Sequence, residues 1–180
     1  PFNGNANDES GNGRNGVVMG AILATDRFGQ TNRSYYFSGT NQWIYANNIP
    51  EPTNNAFTWG CWARPETTSL GPDQFQYILD RNNNNSDNRV SPHLTLRPDG
   101  KFYFASYSEP YGHVGNLQNI LSTPSSQWAT SLWVHVVATS DVNNIRRIYV
   151  NGIFMGQITS TDYGQTGLGT LNIGADRMPS

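Results

Sequence analysis

The sequence predicts an all-β fold, a two-sheet antiparallel β-sandwich of the jelly-roll kind. Three observations carry that prediction. Short runs of β-branched and aromatic residues alternate with turn-forming clusters along the whole chain. No stretch shows the apolar stripe of an amphipathic helix. Charged residues make up only 13%, while 18 Gly and 10 Pro supply turn formers in quantity.

The most regular stretch lies at 132–155. Residues 132–139 form a near-continuous apolar, β-branched run, expected as a central strand buried on both faces. Residues 145–150 and 153–155 follow, separated by Asn151-Gly152, a pair that tolerates the positive φ angles of a two-residue type I′ turn. Three consecutive antiparallel strands are predicted.

From the N-terminus, 3–16 alternates turn formers with oxygen donors and reads as a loop. Residues 17–23 form one strand or a pair broken at Gly20; strands follow at 34–37 and 42–46, the latter closed off by Pro50 and Pro52. In 57–65 the period is two, placing Phe57, Trp59, Cys61 and Ala63 on the core side and Thr58, Gly60, Trp62 and Arg64 on the other. A strand at 75–79 leads into 80–89, a polar tract read as a surface loop. Residues 93–97 and 101–107 form a hairpin turned at Asp99-Gly100, 108–116 is another loop, and 170–174 is the last strand.

A chain of 180 residues is long enough for one domain with a sizeable core. Net charge is −2, and the ten Arg and one Lys, Lys101, form no cluster, which sets aside nucleic acid and anionic membranes as partners. No run approaches the length of a membrane helix. Cys61 is alone, so there is no internal disulfide framework, and its strand setting predicts a buried structural thiol. The chain begins at Pro1 rather than Met and is expected to be an excised piece of a longer protein.

Several stretches together resemble the laminin-G-like branch of the concanavalin A-like lectin/glucanase superfamily. Residues 2–13 look like its opening signature, Tyr36-Phe-Ser-Gly39 like the strand before its second turn, and Phe57-Thr-Trp-Gly-Cys-Trp-Ala-Arg-Pro65 like its Phe-Thr-x-x-x-Trp strand. Leu132-Trp-Val-His-Val-Val-Ala138 with Ile148-Tyr-Val-Asn-Gly152 resembles its most characteristic pair, and Leu171-Asn-Ile-Gly174 the segment before its final strand. The likeness runs over nearly the whole chain in the family's order. It departs at 177–180, where relatives continue into an acidic strand, so a domain short of its last strand, or closed differently, is expected.

For a metal, the first loop is the candidate. Asp8 with Asn5, Ser10 and Asn12 offers the hard oxygens that Ca²⁺ takes, although the spacing is not that of an EF-hand. The resemblance implies calcium at Asp8 and the backbone near Asn12. The same residues also fit a loop capped by its own Asx side chains. For a glycan, aromatic faces and hydrogen-bonding groups concentrate in three tracts: Asp80, Arg81, Asn83 and Asp87; Tyr107, Glu109, Tyr111 and His113; and Trp128. Trp43, Trp59, Trp62 and Trp133 are assigned to packing, and His135 to a hydrogen-bonded core position.

Enzyme readings find little support. The four Glu residues, Glu9, Glu51, Glu66 and Glu109, lack the paired spacing of glucanase relatives, and there is neither a Gly-x-Ser-x-Gly elbow nor a phosphate loop. The expectation is a non-catalytic carbohydrate-binding or adhesive module of an extracellular or cell-surface protein, bacterial in origin and calcium-stabilised. Its partner is a glycan or polysaccharide, or else a protein. The alternatives are a structural or protein-interaction spacer of an adhesin and, behind it, a polysaccharide hydrolase or lyase.

Overall fold

The computed structural model describes residues 2–39, 41–66, 75–83, 89–109, 117–127, 129–161 and 168–175. Among these there are thirteen strands, one 3-10 turn at Thr53–Asn55 and no α-helix. The strands are β1 (Val17–Met19), β2 (Ile22–Ala24), β3 (Ser34–Tyr36), β4 (Trp43–Ile49), β5 (Phe57–Ala63), β6 (Gln76–Asn83) and β7 (Arg89–Leu96). They continue with β8 (Phe102–Glu109), β9 (Leu117–Ser122), β10 (Val134–Ser140), β11 (Ile145–Val150), β12 (Ile153–Thr159) and β13 (Gly169–Ile173). All named pairings are antiparallel: a seven-stranded sheet in the order β1-β4-β13-β6-β7-β8-β9, a four-stranded sheet β12-β11-β10-β5, and a β2-β3 ribbon.

The two larger sheets pack face to face. Leu79, Leu94, Leu96, Phe102, Phe104 and Leu121 of the large sheet meet Val134, Val136, Ala138, Ile148 and Val150 of the small one in a single buried cluster. Each Val, Leu, Ile or Phe among them contributes about 1.5–3 kcal/mol by leaving water. Phe57, Trp59 and Cys61 pack against that cluster, as the period-two reading of β5 requires.

Both turns read from the sequence are present. Asn151 and Gly152 take φ of 50° and 80°, and Gly100 takes 74°. At the former, the Asn151 side-chain oxygen accepts the His135 backbone N–H at 2.9 Å and the Asn151 N–H reaches the His135 carbonyl at 2.8 Å, fixing the turn to β10. The 17–23 segment is indeed broken at Gly20, with φ 70°.

Five expectations need correction. The tract 80–89 is not wholly a loop, because β6 runs to Asn83 and β7 starts at Arg89. Its polar residues hid a strand in which Asp80 and Arg81 are buried and hydrogen-bonded. β8 extends to Glu109, and β9 escaped notice because its sequence, Leu-Gln-Asn-Ile-Leu-Ser, has no clean alternation. β10 is central but buried on one face only, alternating buried with half-buried residues. His135 therefore lies on the outer face of the small sheet, stacked on Trp62, rather than in the core. Trp62, assigned to packing, is 41% exposed.

Candidate functional site

Alternation along the large sheet sends Leu79, Leu94, Phe104 and Ile173 to the core, so Asp80, His93, Ala105 and Asn172 must take the opposite face. The register aligns them across four strands: Asn172 opposite Asp80, Asp80 opposite His93, His93 opposite Ala105. Tyr45 continues the row beyond Asn172. Asn172 Nδ2 donates to Asp80 Oδ2 at 3.3 Å, Thr170 Oγ1 lies 2.9 Å from Asn47 Oδ1, and the Tyr77 and His93 rings are 5.8 Å apart. This face is lined by amide, carboxylate, imidazole and hydroxyl groups.

The row is also buried. Asp80, His93, Thr95, Thr170 and Asn172 are at most 1% exposed. Thr95 Oγ1 and Asn172 Oδ1 have no hydrogen-bond partner among the described residues. Such groups are uncommon in native proteins and mark places where a further polar partner fits.

Arg81 is turned the other way. It is 3% exposed, and its Nη2 donates to the Ile49 carbonyl at 3.3 Å. Burial lowers the Arg81 pKa and raises that of the Glu51 carboxyl, with their mutual attraction opposing both shifts. Arg81 thus ties β6 to the end of β4 and is not part of the polar face.

The strand ends place the predicted loops. Asn83 pairs with Gly169, Gly169 with Ile49, and Arg89 with Glu109, so Asn83, Arg89 and Glu109 stand at one end of the large sheet. The described residues Asn83 and Glu109 of the first two predicted tracts therefore lie at the same end. Gln127 donates its N–H to the Gly100 carbonyl at the opposite end, beside the β7–β8 turn. Asp87, Tyr111, His113 and Trp128 themselves lie outside the described residues, and of Asn83, Tyr107 and Glu109 only the strand pairing is described.

In the first loop, the Ser10 and Arg14 N–H groups donate to Asp8 Oδ1 and Oδ2 at 2.8 and 3.0 Å. The Ser10 hydroxyl first, then these amides, lower the Asp8 pKa to about 2. Asn5 Oδ1 accepts the Asn7 N–H, and Asn12 Nδ2 donates to Ser10 Oγ. Asn3 joins Glu9 and Arg33, closing the loop against the β2–β3 ribbon. A calcium cage needs six to eight oxygens. Here the one central carboxylate faces N–H donors, and no group of three or more His, Cys, Asp or Glu among the described residues is placed to hold a metal. As folded, these residues make an Asx-turn loop and do not fit a calcium cage.

The sequence reading missed Asn47, Tyr77, His93, Thr95, Thr170 and Asn172. A signal was present: each of His93, Thr95 and Asn172 adjoins apolar residues in a period-two run, which fixes it opposite the core.

Comparison with known proteins agrees with this architecture. No curated protein matches the chain. Among solved structures, the binding domain of botulinum neurotoxin serotype D has a TM-score of 0.67 at 15% identity, over 94% of this chain and 40% of that one. The binding domain of botulinum neurotoxin DC in complex with rat synaptotagmin II has a TM-score of 0.64 at 14% identity, over 92% and 40%. The chain thus spans about 40% of the length of these structures. The Ruminococcus gnavus IT-sialidase CBM40 bound to α2,3 sialyllactose has a TM-score of 0.50 at 15% identity, over 69% and 66%. A family model for laminin-G-type domains, described as "Concanavalin A-like lectin/glucanases superfamily", matches residues 38–180. The chain belongs to the concanavalin A-like lectin/glucanase superfamily.

Proposed function

We propose that this domain is a non-catalytic carbohydrate-binding or adhesive module of an extracellular protein. Its glycan would be recognised by the polar face of the large sheet, reaching the buried row from the end where Asn83 and Glu109 stand by displacing what covers it. The observation that carries the reading is the row from Thr170 and Asn172 through Asp80 to His93 and Thr95, polar groups held on the sheet face away from the core. Sugar hydroxyls need paired donors and acceptors at fixed positions, and a strand ladder holds them more rigidly than loops do. The solved sialidase module in complex with sialyllactose gives a precedent for the fold.

The test is a glycan array with the folded domain and with Thr95→Val, which keeps the side-chain shape and removes the hydroxyl. Binding to a defined glycan set, weakened in the variant without loss of folding, is expected. A blank array from a well-folded sample would overturn the reading and favour the second one, a protein-binding module. That reading is supported by the exposed Ile153 and Phe154 at the edge of the small sheet and by the toxin-domain complex with synaptotagmin. Release of reducing sugar from polysaccharides would instead indicate a hydrolase. Calcium stabilisation, implied by the family resemblance, would require Asp8 to exchange its N–H partners for the cation. Unfolding with and without EDTA decides it, since a tightly bound ion must raise the midpoint.

A further inference from the structure

The outer face of the small sheet carries a stack of four side chains that belongs to neither candidate above. The His135 ring lies 4.9 Å from that of Trp62, its cross-strand partner, with 20° between their planes. The Arg27 guanidinium lies 4.5 Å from the Trp62 centroid and 4.1 Å from that of Phe28. Trp62 thus contacts both the His135 ring and the Arg27 guanidinium, and Arg27 contacts Phe28 in turn. Arg27 is flanked by aromatic surface and exposed.

Its charge is uncompensated. Arg64 pairs with Glu66 and Arg147 with Asp141, whereas Arg27 has neither a hydrogen bond nor an ion pair among the described residues. The turn that presents it is fixed: Asp26 Oδ1 accepts the Phe28 and Gln30 N–H groups, each at 2.9 Å, and the Asp26 N–H meets the Gln30 carbonyl. Phe28 is 68% exposed, and Gly60 leaves the sheet surface open beside His135 and Val137.

We infer that Arg27, with Trp62, His135 and Phe28, forms a binding site for the carboxylate of an acidic sugar. A guanidinium whose faces are covered still directs its N–H edges outward, the geometry that takes a carboxylate in a bidentate pair. The outer face of Phe28 and the exposed part of Trp62 suit the C–H faces of the sugar ring. A carboxylate without a ring would use only the guanidinium. The site lies on the opposite sheet from the proposed glycan face, so either can fail without the other.

NMR titration of the labelled full chain with D-glucuronate, D-glucose and acetate tests this, following the Arg27 Nε–H and Trp62 Nε1–H resonances. Glucuronate is expected to shift both together at millimolar concentration, with glucose causing no shift and acetate binding at least about tenfold more weakly. Arg27→Lys, which keeps the charge and loses the planar fork, is expected to weaken glucuronate binding about tenfold, and Arg27→Gln to abolish it. Unshifted Arg27 and Trp62 resonances in a folded sample would overturn the site. Equal response to glucose would overturn the acidic requirement, and equal response to acetate the sugar. Shifts at Thr95 and Asn172 instead would report the large-sheet face and leave the Arg27 site refuted.

Discussion

A single carboxylate organises the N-terminal loop. Asp8 stays ionised because the Ser10 hydroxyl and the Ser10 and Arg14 amides all favour the charged form, lowering its pKa to about 2 from an ordinary 3.8. The sign follows directly. With the folded value below the unfolded one, the contribution to stability is fully present above about pH 4 and is lost as pH falls through about 2. Asp8→Asn should therefore lower the unfolding midpoint at neutral pH, and the difference from the parent should shrink towards zero as acid protonates the native carboxyl. A pH series of thermal melts checks this. A penalty independent of pH would mean that the side-chain charge does not hold the loop. Cys61 shows the opposite effect: desolvation pushes its thiol up to about 12, which suits the structural role read from its strand position.

At the scale of elements, the β11–β12 turn does two jobs. Its residues adopt left-handed conformations, and the Asn151 amide also holds β10 at His135. Asn151→Ala places an alanine at φ 50° and removes that acceptor, with an expected cost of about 1–2 kcal/mol. That corresponds to a midpoint fall of roughly 2–8 °C in a chain of this size. Asn151→Gly keeps the conformation and loses only the amide. It should recover part of the loss, and urea melts of the two variants separate backbone strain from the side-chain bond. Elsewhere, strand identity was legible wherever apolar and polar residues alternate, as in β5, β7 and β8. In β6 it was legible only to Leu79, because Asp80 and Arg81 look like loop residues until Asn172 and the Ile49 carbonyl are placed beside them.

Across the whole molecule, the sandwich is held by one apolar cluster fed from both sheets, with a polar tie through it. Arg146 of β11 donates from Nη1 to Ser106 Oγ of β8 at 2.8 Å and lies 5.2 Å from the Phe104 ring centroid. Phe104 is fully buried, flanked by Phe57 and Trp59 at 6.0 and 6.2 Å between centroids. Phe104→Ala should destabilise the domain by about 3–5 kcal/mol, the range for deleting a buried aromatic ring. It should also loosen Arg146, whose guanidinium would lose its covering ring. Chemical denaturation measures the loss. A change below about 1 kcal/mol would mean that the two sheets do not rely on this contact.

The sequence by itself determined the all-β class, the two glycine turns, the core side of β5 and the family, because these depend on period-two patterning and on backbone conformations that only certain residues adopt. It also identified the loop around Asp8 as a unit. Only the tertiary structure decided which polar residues stand together. Asn47, Asp80, His93, Thr95, Thr170 and Asn172 come from four strands spread over 126 residues and meet through sheet register, which local spacing does not encode. The same holds for Arg27, Trp62 and His135, where a ribbon, an outer strand and a central strand bring together groups that look unrelated in the chain. Local chemistry sets which element forms, and long-range pairing sets which face each side chain shares.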